Sequence, residues 1–341
     1  MTDAAHALAY FNVVSSRVRL ARNVRGMPFP SSPRRASAAA LAALEEGAAR
    51  AARGVFDAEI LRMRDLDAVR KKALVERHLI SPALARNTSS GAVILERSEG
   101  ISVMLNEEDR IREQCIESGF ALPEAYERIS VYDDRLSEEL PLAFDRDLGF
   151  LTACPTNLGT GMRASVMLCL PALRVAGELE GDLTRFVRER GLTLRGVYGE
   201  GSKAQGDMYQ LSNTRTLGVT EDEIIRSVER ATIELCLKDR GALERMRKEK
   251  GAALYDKASR SYGILTHAYK LTSAELMNMI SDVKLGIMLE ILPFNDIETL
   301  NKLLVWCSAA NLTAVTGECP ADERDVRRAA IVKSILNKEK V

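Results

Sequence analysis

Cys154-Pro155-Thr156-Asn157-Leu158-Gly159-Thr160-Gly161-Met162-Arg163-Ala164 puts a thiol, a run of small turn-forming residues and an arginine between two apolar segments. Leu148 to Ala153 enters it with strand-like composition, and Ala164 to Val175 leaves it as a mostly apolar run of helical length. The pattern predicts a strand, a turn and then a helix, with Arg163 in the helix's first turn. Such a turn suits a phosphate, because small residues allow close backbone approach, free N–H groups face outward and a guanidinium adds a fork of donors. On composition alone the stretch is equally a reduced cysteine in an ordinary tight turn.

Working outward, residues 12–23 read as a strand in which Arg17 and Arg19 fall on one face and Val18 and Leu20 on the other. Charges in that position also fit a solvated strand edge. Residues 92–96 and 101–105 are short β-rich runs joined by Arg97-Ser98-Glu99-Gly100, a hairpin signal. The second run leads into Asn106-Glu107-Glu108-Asp109-Arg110-Ile111-Arg112, which by itself is a solvated acidic turn. Residues 192–200 alternate again and bring Arg195 and Glu200 to the end of a strand, followed by a glycine-containing loop over 201–206 and another strand over 208–213. Helical patterns cover 32–53, 122–140, 182–190, 221–238 (with 240–250 as its continuation or a connector), 273–292, 296–309 and 321–338, and the charged run 55–86 is read as helical with its main helix ending at Pro82. Thr272-Ser273-Ala274-Glu275 has the form of a capping box. Hairpin-joined strands with long helices predict an α+β protein with a largely antiparallel sheet.

The 341 residues suffice for two domains, placed at 1–245 and 246–341. Forty-eight basic and 48 acidic residues cancel, so no global field favours nucleic acid or a membrane, and local clusters must carry any ligand chemistry. Six cysteines at irregular spacing fit neither a metal framework nor a secreted disulfide scaffold, and no signal segment or apolar run of spanning length is evident, so a reducing cytoplasm is expected. With three histidines, a dedicated metal site is not expected.

Cys154 to Thr160 closely resembles the signature of the phosphagen (guanidino) kinases, and further segments resemble that family's motifs in the same order. Ser15-Ser16-Arg17-Val18-Arg19-Leu20-Ala21-Arg22 is similar to the segment whose alternate arginines hold nucleotide phosphates. Asn106 to Arg112 is similar to the family's Asn-Glu-Glu-Asp-His stretch, and Arg195-Gly196 to Glu200 to its Arg-Gly-x-x-Gly-Glu. The family histidine is Arg110 here, which leaves any histidine-specific role in doubt without touching the acid. The guanidino-metabolite kinases carry a helical domain ahead of the first arginine motif, whereas here that motif begins almost at the N-terminus and a helical region follows the core. That layout resembles the bacterial protein arginine kinases (McsB-type).

The resemblance implies a kinase that uses ATP and Mg2+ to phosphorylate the guanidinium of arginine residues in proteins, in stress response and the marking of proteins for degradation. Glu108 and Glu200 would bracket the guanidinium, Cys154 would orient and polarise it, and Arg17, Arg19, Arg112, Arg163 and Arg195 would surround the phosphates. Magnesium would be held mainly by nucleotide and water. Arg324-Asp325-x-x-Arg328-Ala329 resembles a phosphoarginine-recognising motif, which implies an allosteric product site; by charge alone it is a solvated ion-pair network. A homodimer built on residues 273–309, an activator protein and a Clp-type protease system are further implications. The alternatives are a kinase for a free guanidino metabolite and a non-catalytic phosphoarginine-binding adaptor.

Overall fold

The computed structural model describes residues 7–179, 182–197, 205–292 and 296–338. Ten strands and eleven helices are named among them: β1 Val13–Arg22, α1 Ala38–Ala52, β2 Ala58–Arg62, α2 Ala68–Glu76, α3 Pro82–Arg86, β3 Ala92–Glu96, β4 Ile101–Leu105, β5 Ile111–Ser118, α4 Leu122–Glu139, β6 Phe144–Asp145, β7 Gly149–Phe150, β8 Met162–Cys169, α5 Pro171–Ala176, α6 Asp182–Glu189, β9 Leu192–Gly196, β10 Met208–Asn213, α7 Glu221–His267, α8 Ser273–Met288, α9 Ile297–Trp306, α10 Ala309–Thr316 and α11 Ala321–Lys338. Eight strands form one sheet in the order β2-β3-β4-β5-β1-β8-β10-β9. The pairings from β2 through β1 are all antiparallel. This is the expected α+β architecture.

Two expected elements are corrected. Residues 162–169 form a strand where a helix was predicted, so Arg163 stands on β8 and not in a helical first turn. The cause is burial: β8 lies between β1 and β10, six of its eight residues are buried, and a strand covered on both faces reads as a continuous apolar run indistinguishable from a buried helix. Helix begins only at α5, where Pro171 takes the first-turn position that needs no N–H partner. In the charged run 55–86, residues 58–62 are an edge strand paired to β3. There α2 stops at Glu76, and Pro82 opens α3 behind Ser81, whose Oγ accepts the Leu84 N–H at 3.0 Å.

The chain divides into two compact units. One comprises residues 15–165 and 212–229, the other residues 1–14, 166–211 and 230–341. In the first, α4 lies on β5 and α1, with Tyr132 Oη donating to the Ala48 carbonyl at 3.1 Å. A separate apolar cluster joins Leu61, Leu74, Leu79, Leu84, Val93 and Met104 under α2 and α3. In the second unit, α7 continues through residue 245 and kinks at Lys250. The expected capping box starts α8: Thr272 Oγ1 accepts from Glu275 N at 3.2 Å, and Glu275 Oε2 accepts from Thr272 N at 2.8 Å. Leu276, Ile280, Val283, Ile287, Leu303 and Leu304 are buried together with Ala329, Val332 and Leu336 of α11. The apolar faces expected to serve self-association are thus covered within the chain, although Trp306 is 54% exposed.

Candidate active site

A cavity of about 280 Å³ opens in the first unit, lined by residues that include Arg19, Glu108, Arg112, Cys154, Thr156 and Arg163. The sheet brings them together. Ala21 of β1 faces Arg112 of β5 in register, so Arg19, two residues along the same face, lies diagonal to Arg112. Arg163 enters from β8 on the other side of β1 and donates from Nη2 to Ser212 Oγ at 3.0 Å. Arg17 is steered by Ser165 Oγ at 3.4 Å.

Electrostatically the cavity is a cation cluster built ahead of its ligand. Desolvation, followed by the repulsion of Arg17, Arg112 and Arg163, holds the Arg19 pKa well below the usual guanidinium range. Its Nε is buried and has no hydrogen-bond partner among the described residues. A desolvated donor among like charges is a large unmet demand for an anion. The residues therefore fit a polyphosphate.

Two acids adjoin the cluster. Glu107, 6% exposed, accepts Arg112 Nη1 at 2.7 Å and Ser81 Oγ at 2.8 Å. Glu108, 44% exposed, accepts Arg112 Nη2 at 2.5 Å. Glu107 is the buried counter-ion, which the run of three acids did not single out, and Glu108 is the accessible one.

Cys154 is half-buried, with Sγ 3.0 Å from Thr156 Oγ1. It precedes a short 3-10 turn at Pro155–Asn157, so the predicted α-helix N-terminus beside the thiol is absent. The loop is pinned instead by side chains. Asp109 Oδ1 accepts the Ala153 N–H at 2.7 Å, and Thr216 Oγ1 donates to the Thr156 carbonyl at 2.9 Å. Arg22, 2% exposed, donates to the Thr160 carbonyl at 3.0 Å, forks onto Asp133 at 2.9 and 2.7 Å, and sits 3.5 Å from the Phe150 ring centroid. Gly161 has φ +64°, and a Cβ there would lie 2.6 Å from Arg22 Nη1 and 2.7 Å from the Ala21 carbonyl. Only glycine lets the loop lie this close to β1.

Of the remaining expected residues, Arg195 is exposed on β9 in the second unit. Glu200 lies outside the described residues. Arg324, Asp325 and Arg328 share α11, but Arg328 is 1% exposed and already engaged. Its Nε donates to the Cys307 carbonyl at 2.7 Å, its Nη1 to the Leu271 carbonyl at 2.8 Å, and it ion-pairs with Asp325. Its place is structural, steadying Asp325. Arg324 is half-buried, and its Nε has no hydrogen-bond partner among the described residues.

The family profile of the ATP:guanido phosphotransferase C-terminal catalytic domain matches residues 43–242, and that of the protein-arginine kinase McsB C-terminal domain matches residues 251–341. A protein-arginine kinase of Moorella thermoacetica is 42% identical over 331 residues, covering 95% of this chain and 93% of its own. The chain belongs to the protein-arginine kinases. A second such kinase, from Geobacillus thermodenitrificans, is 42% identical across 96% of this chain and 91% of its own. Among solved structures, the duplicated taurocyamine kinase of Schistosoma mansoni with bound transition-state-analogue components aligns at TM-score 0.60 and 25% identity. That alignment covers 79% of this chain and 39% of the duplicated one. Lombricine kinase aligns at TM-score 0.59 and 24% identity over 69% of this chain and 67% of its own, a likeness of fold. For this kinase the cluster of arginines and acids is thus the candidate phosphoryl-transfer site.

Proposed function

We propose that this kinase transfers the γ-phosphoryl group of ATP to the guanidinium of arginine side chains in proteins. The observation that carries the reading is the convergence of Arg19, Arg112 and Arg163 with Glu108 and Cys154 on one small cavity, where the buried Arg19 Nε has no acceptor among the described residues. Guanidinium is a poor nucleophile, since its charge is delocalised and its pKa exceeds about 12. Glu108 accepts a proton from it as one terminal nitrogen forms its bond to the γ-phosphorus and the bond to the departing ADP oxygen breaks. Cys154 orients the same group. The transfer is direct and in-line, so no covalent enzyme intermediate forms. Arg17, Arg19, Arg112 and Arg163 stabilise the charge spread over the phosphate oxygens, where most catalysis of phosphoryl transfer resides.

Arg195 and Glu200 take the parts of a further phosphate ligand and the second carboxylate, on the resemblance alone. Mg2+ would come with the nucleotide, held mainly by it and by water and not by a dedicated set of side chains, and would neutralise phosphate charge. The match of residues 251–341 to the McsB C-terminal profile supports a protein acceptor. A functional division at 245/246, phosphoarginine recognition by Arg324 and Asp325 with Arg328 holding the aspartate, self-association, an activator protein, a Clp-type protease partner and a cytoplasmic setting complete the reading. No helix among the described residues is long and apolar enough to cross a membrane.

Mass spectrometry at neutral pH, which preserves acid-labile N–P bonds, tests it. After incubation with ATP, phosphoarginine should appear on an unstructured protein substrate and not on free arginine or creatine. Glu108→Gln should lower turnover by about 10² with nucleotide binding retained. Phosphorylation of the free guanidino compounds in preference to protein would refute the proposal.

A further inference from the structure

Arg110 stands beside the cavity but not in it. It is 5% exposed, and burial lowers its pKa. Its guanidinium reaches neutral oxygens: Nε and Nη2 both donate to the Pro28 carbonyl, at 2.9 and 2.6 Å, and Nη1 donates to Asn106 Oδ1 at 2.9 Å. A buried cation satisfied by carbonyl oxygens is an expensive way to fill space, because its desolvation is offset by hydrogen bonds without the attraction of an opposite charge. What those bonds achieve is geometric.

Asn106 and Arg110 are the two ends of a closed turn. Asn106 N donates to the Arg110 carbonyl at 2.9 Å, and Glu107 N donates to the Asp109 carbonyl at 3.1 Å. Asn106 adopts φ +61°, a left-handed conformation that asparagine tolerates better than most residues. Outside ties fix both ends: Asn87 Nδ2 donates to the Asn106 carbonyl at 2.7 Å, Asn106 Nδ2 donates to the Ser90 carbonyl at 2.9 Å, and Arg110 N donates to Asn23 Oδ1 at 2.9 Å. Glu108 is the apex of this turn. Asp109, one residue on, accepts both Asn23 Nδ2 at 2.8 Å and the Ala153 N–H next to Cys154. The turn therefore sets where the carboxylate stands relative to the thiol loop.

We propose that Arg110 is a positioning residue for Glu108: its planar fork clamps Pro28 and Asn106 together and fixes the turn from which the carboxylate meets the acceptor guanidinium. The inference rests on Glu108 acting in the reaction. It also explains how this chain does without the histidine that the resemblance would put at 110. A planar, five-donor fork holds two acceptors in a fixed relative geometry, which the compact ammonium on lysine's flexible stem does not.

A kinetic double-mutant cycle on the full chain tests it, using a protein substrate, with thermal unfolding of each variant as the check on folding. Arg110→Ala should lower kcat about tenfold with the KM for ATP within twofold of wild type. Arg110→Lys should lose nearly as much, since it keeps the charge and loses the fork. Asn106→Gly retains the left-handed backbone, removes the Nη1 acceptor and should reproduce the loss, which keeps the proposal testable if Arg110→Ala does not fold. In the Glu108→Gln background, Arg110→Ala should cost less than twofold, because a misplaced carboxylate cannot matter where none remains. Equal fold losses in the two backgrounds, or an Arg110→Lys variant at wild-type kcat, would overturn the proposal and leave the active-site reading standing. Full activity of Glu108→Gln alone would overturn both.

Discussion

Replacing Arg19 with methionine should make the nucleotide-free protein more stable while destroying its hold on ATP. The cavity of about 280 Å³ is equivalent to a sphere about 8 Å across, which sets the separation of charges facing one another over it. At that distance and an effective dielectric of 20, two unit charges interact by about 2 kcal/mol. Arg112 is already neutralised by Glu107 and Glu108, so the net repulsion on Arg19 comes chiefly from Arg163 across the cavity and from Arg17, two residues or about 7 Å along β1, together about 4 kcal/mol before screening. At physiological salt the Debye length is about 8 Å, and halving the sum for partial screening leaves about 2 kcal/mol. Methionine fills much of the same volume without charge or unmet donors. Arg19→Met should therefore raise the midpoint of thermal unfolding by about 4–8 °C. Scans with and without ATP and magnesium are the assay: wild type should gain stability with nucleotide, the variant little or none. A variant less stable than wild type without nucleotide, or stabilised equally by ATP, would refute the idea that the cluster is held in repulsion for an anion.

The thiols should divide by exposure. Burial pushes Cys115 and Cys236 up to about 12 and Cys169 and Cys307 up to about 11, so limiting thiol reagent should reach Cys154 and Cys319 first, and ATP with substrate should protect Cys154 alone. Peptide mapping checks this, and early labelling of Cys115 would contradict it. Burial, and secondarily Arg17, lowers the His78 pKa to about 4. Below about 6.5 the unfolded chain takes up a proton that the folded chain refuses, so stability falls as pH drops from 7 toward 4 and then levels off. Asparagine tolerates the φ of +61° at this position. His78→Asn should thus recover about 2 kcal/mol relative to wild type between pH 7 and pH 5 in denaturant titrations, and parallel pH profiles would exclude the effect. On α11, Arg328→Ala should cost about 3 kcal/mol by orphaning Asp325 and two carbonyls, whereas Arg324→Ala should leave stability within about 0.5 kcal/mol and abolish binding of free phosphoarginine, read by calorimetry.

How much of this was legible beforehand depended on whether local pattern or tertiary placement decided the matter. Residues 92–96 and 101–105 were found as strands because a hairpin announces itself in turn chemistry and alternation. The Thr272 capping box was legible for the same reason. Residues 162–169 were misread because a strand in mid-sheet has no polar face, so its period disappears. Residues 111–118 carry no strand signal because Arg112, Glu113 and Gln114 set polar side chains at successive positions and hide the alternation. In the sheet, however, Glu113 is fully buried, and desolvation followed by Asp133 raises its pKa well above the carboxylate range. At the site, Arg17, Arg19, Glu108, Arg112, Cys154 and Arg163 could be nominated by resemblance. The parts of Glu107, Asp109 and Arg22 could not, since each depends on a partner more than 20 residues away.

The bond between Glu108 and Arg112 bears on the order in which such a site can work. The Glu108 carboxylate is 2.5 Å from Arg112 Nη2, and in that position it neutralises a proposed phosphate ligand and is partly withheld from an acceptor guanidinium. Glu107, buried on the other nitrogen of the same guanidinium, keeps Arg112 in place whether or not Glu108 lets go. Phosphate oxygens entering the cavity compete directly for Arg112 Nη2. The exposed Glu108 side chain can yield to them at little cost, because an ion pair this open to water is worth at most about 1 kcal/mol. The half-buried arginine and the enclosed carboxylate of Glu107 thus stay fixed while the accessible acid changes partner. On the proposed mechanism, a carboxylate released by nucleotide would be available to the guanidinium only when the phosphoryl donor is already present, which would tie the general base to the substrate it must serve.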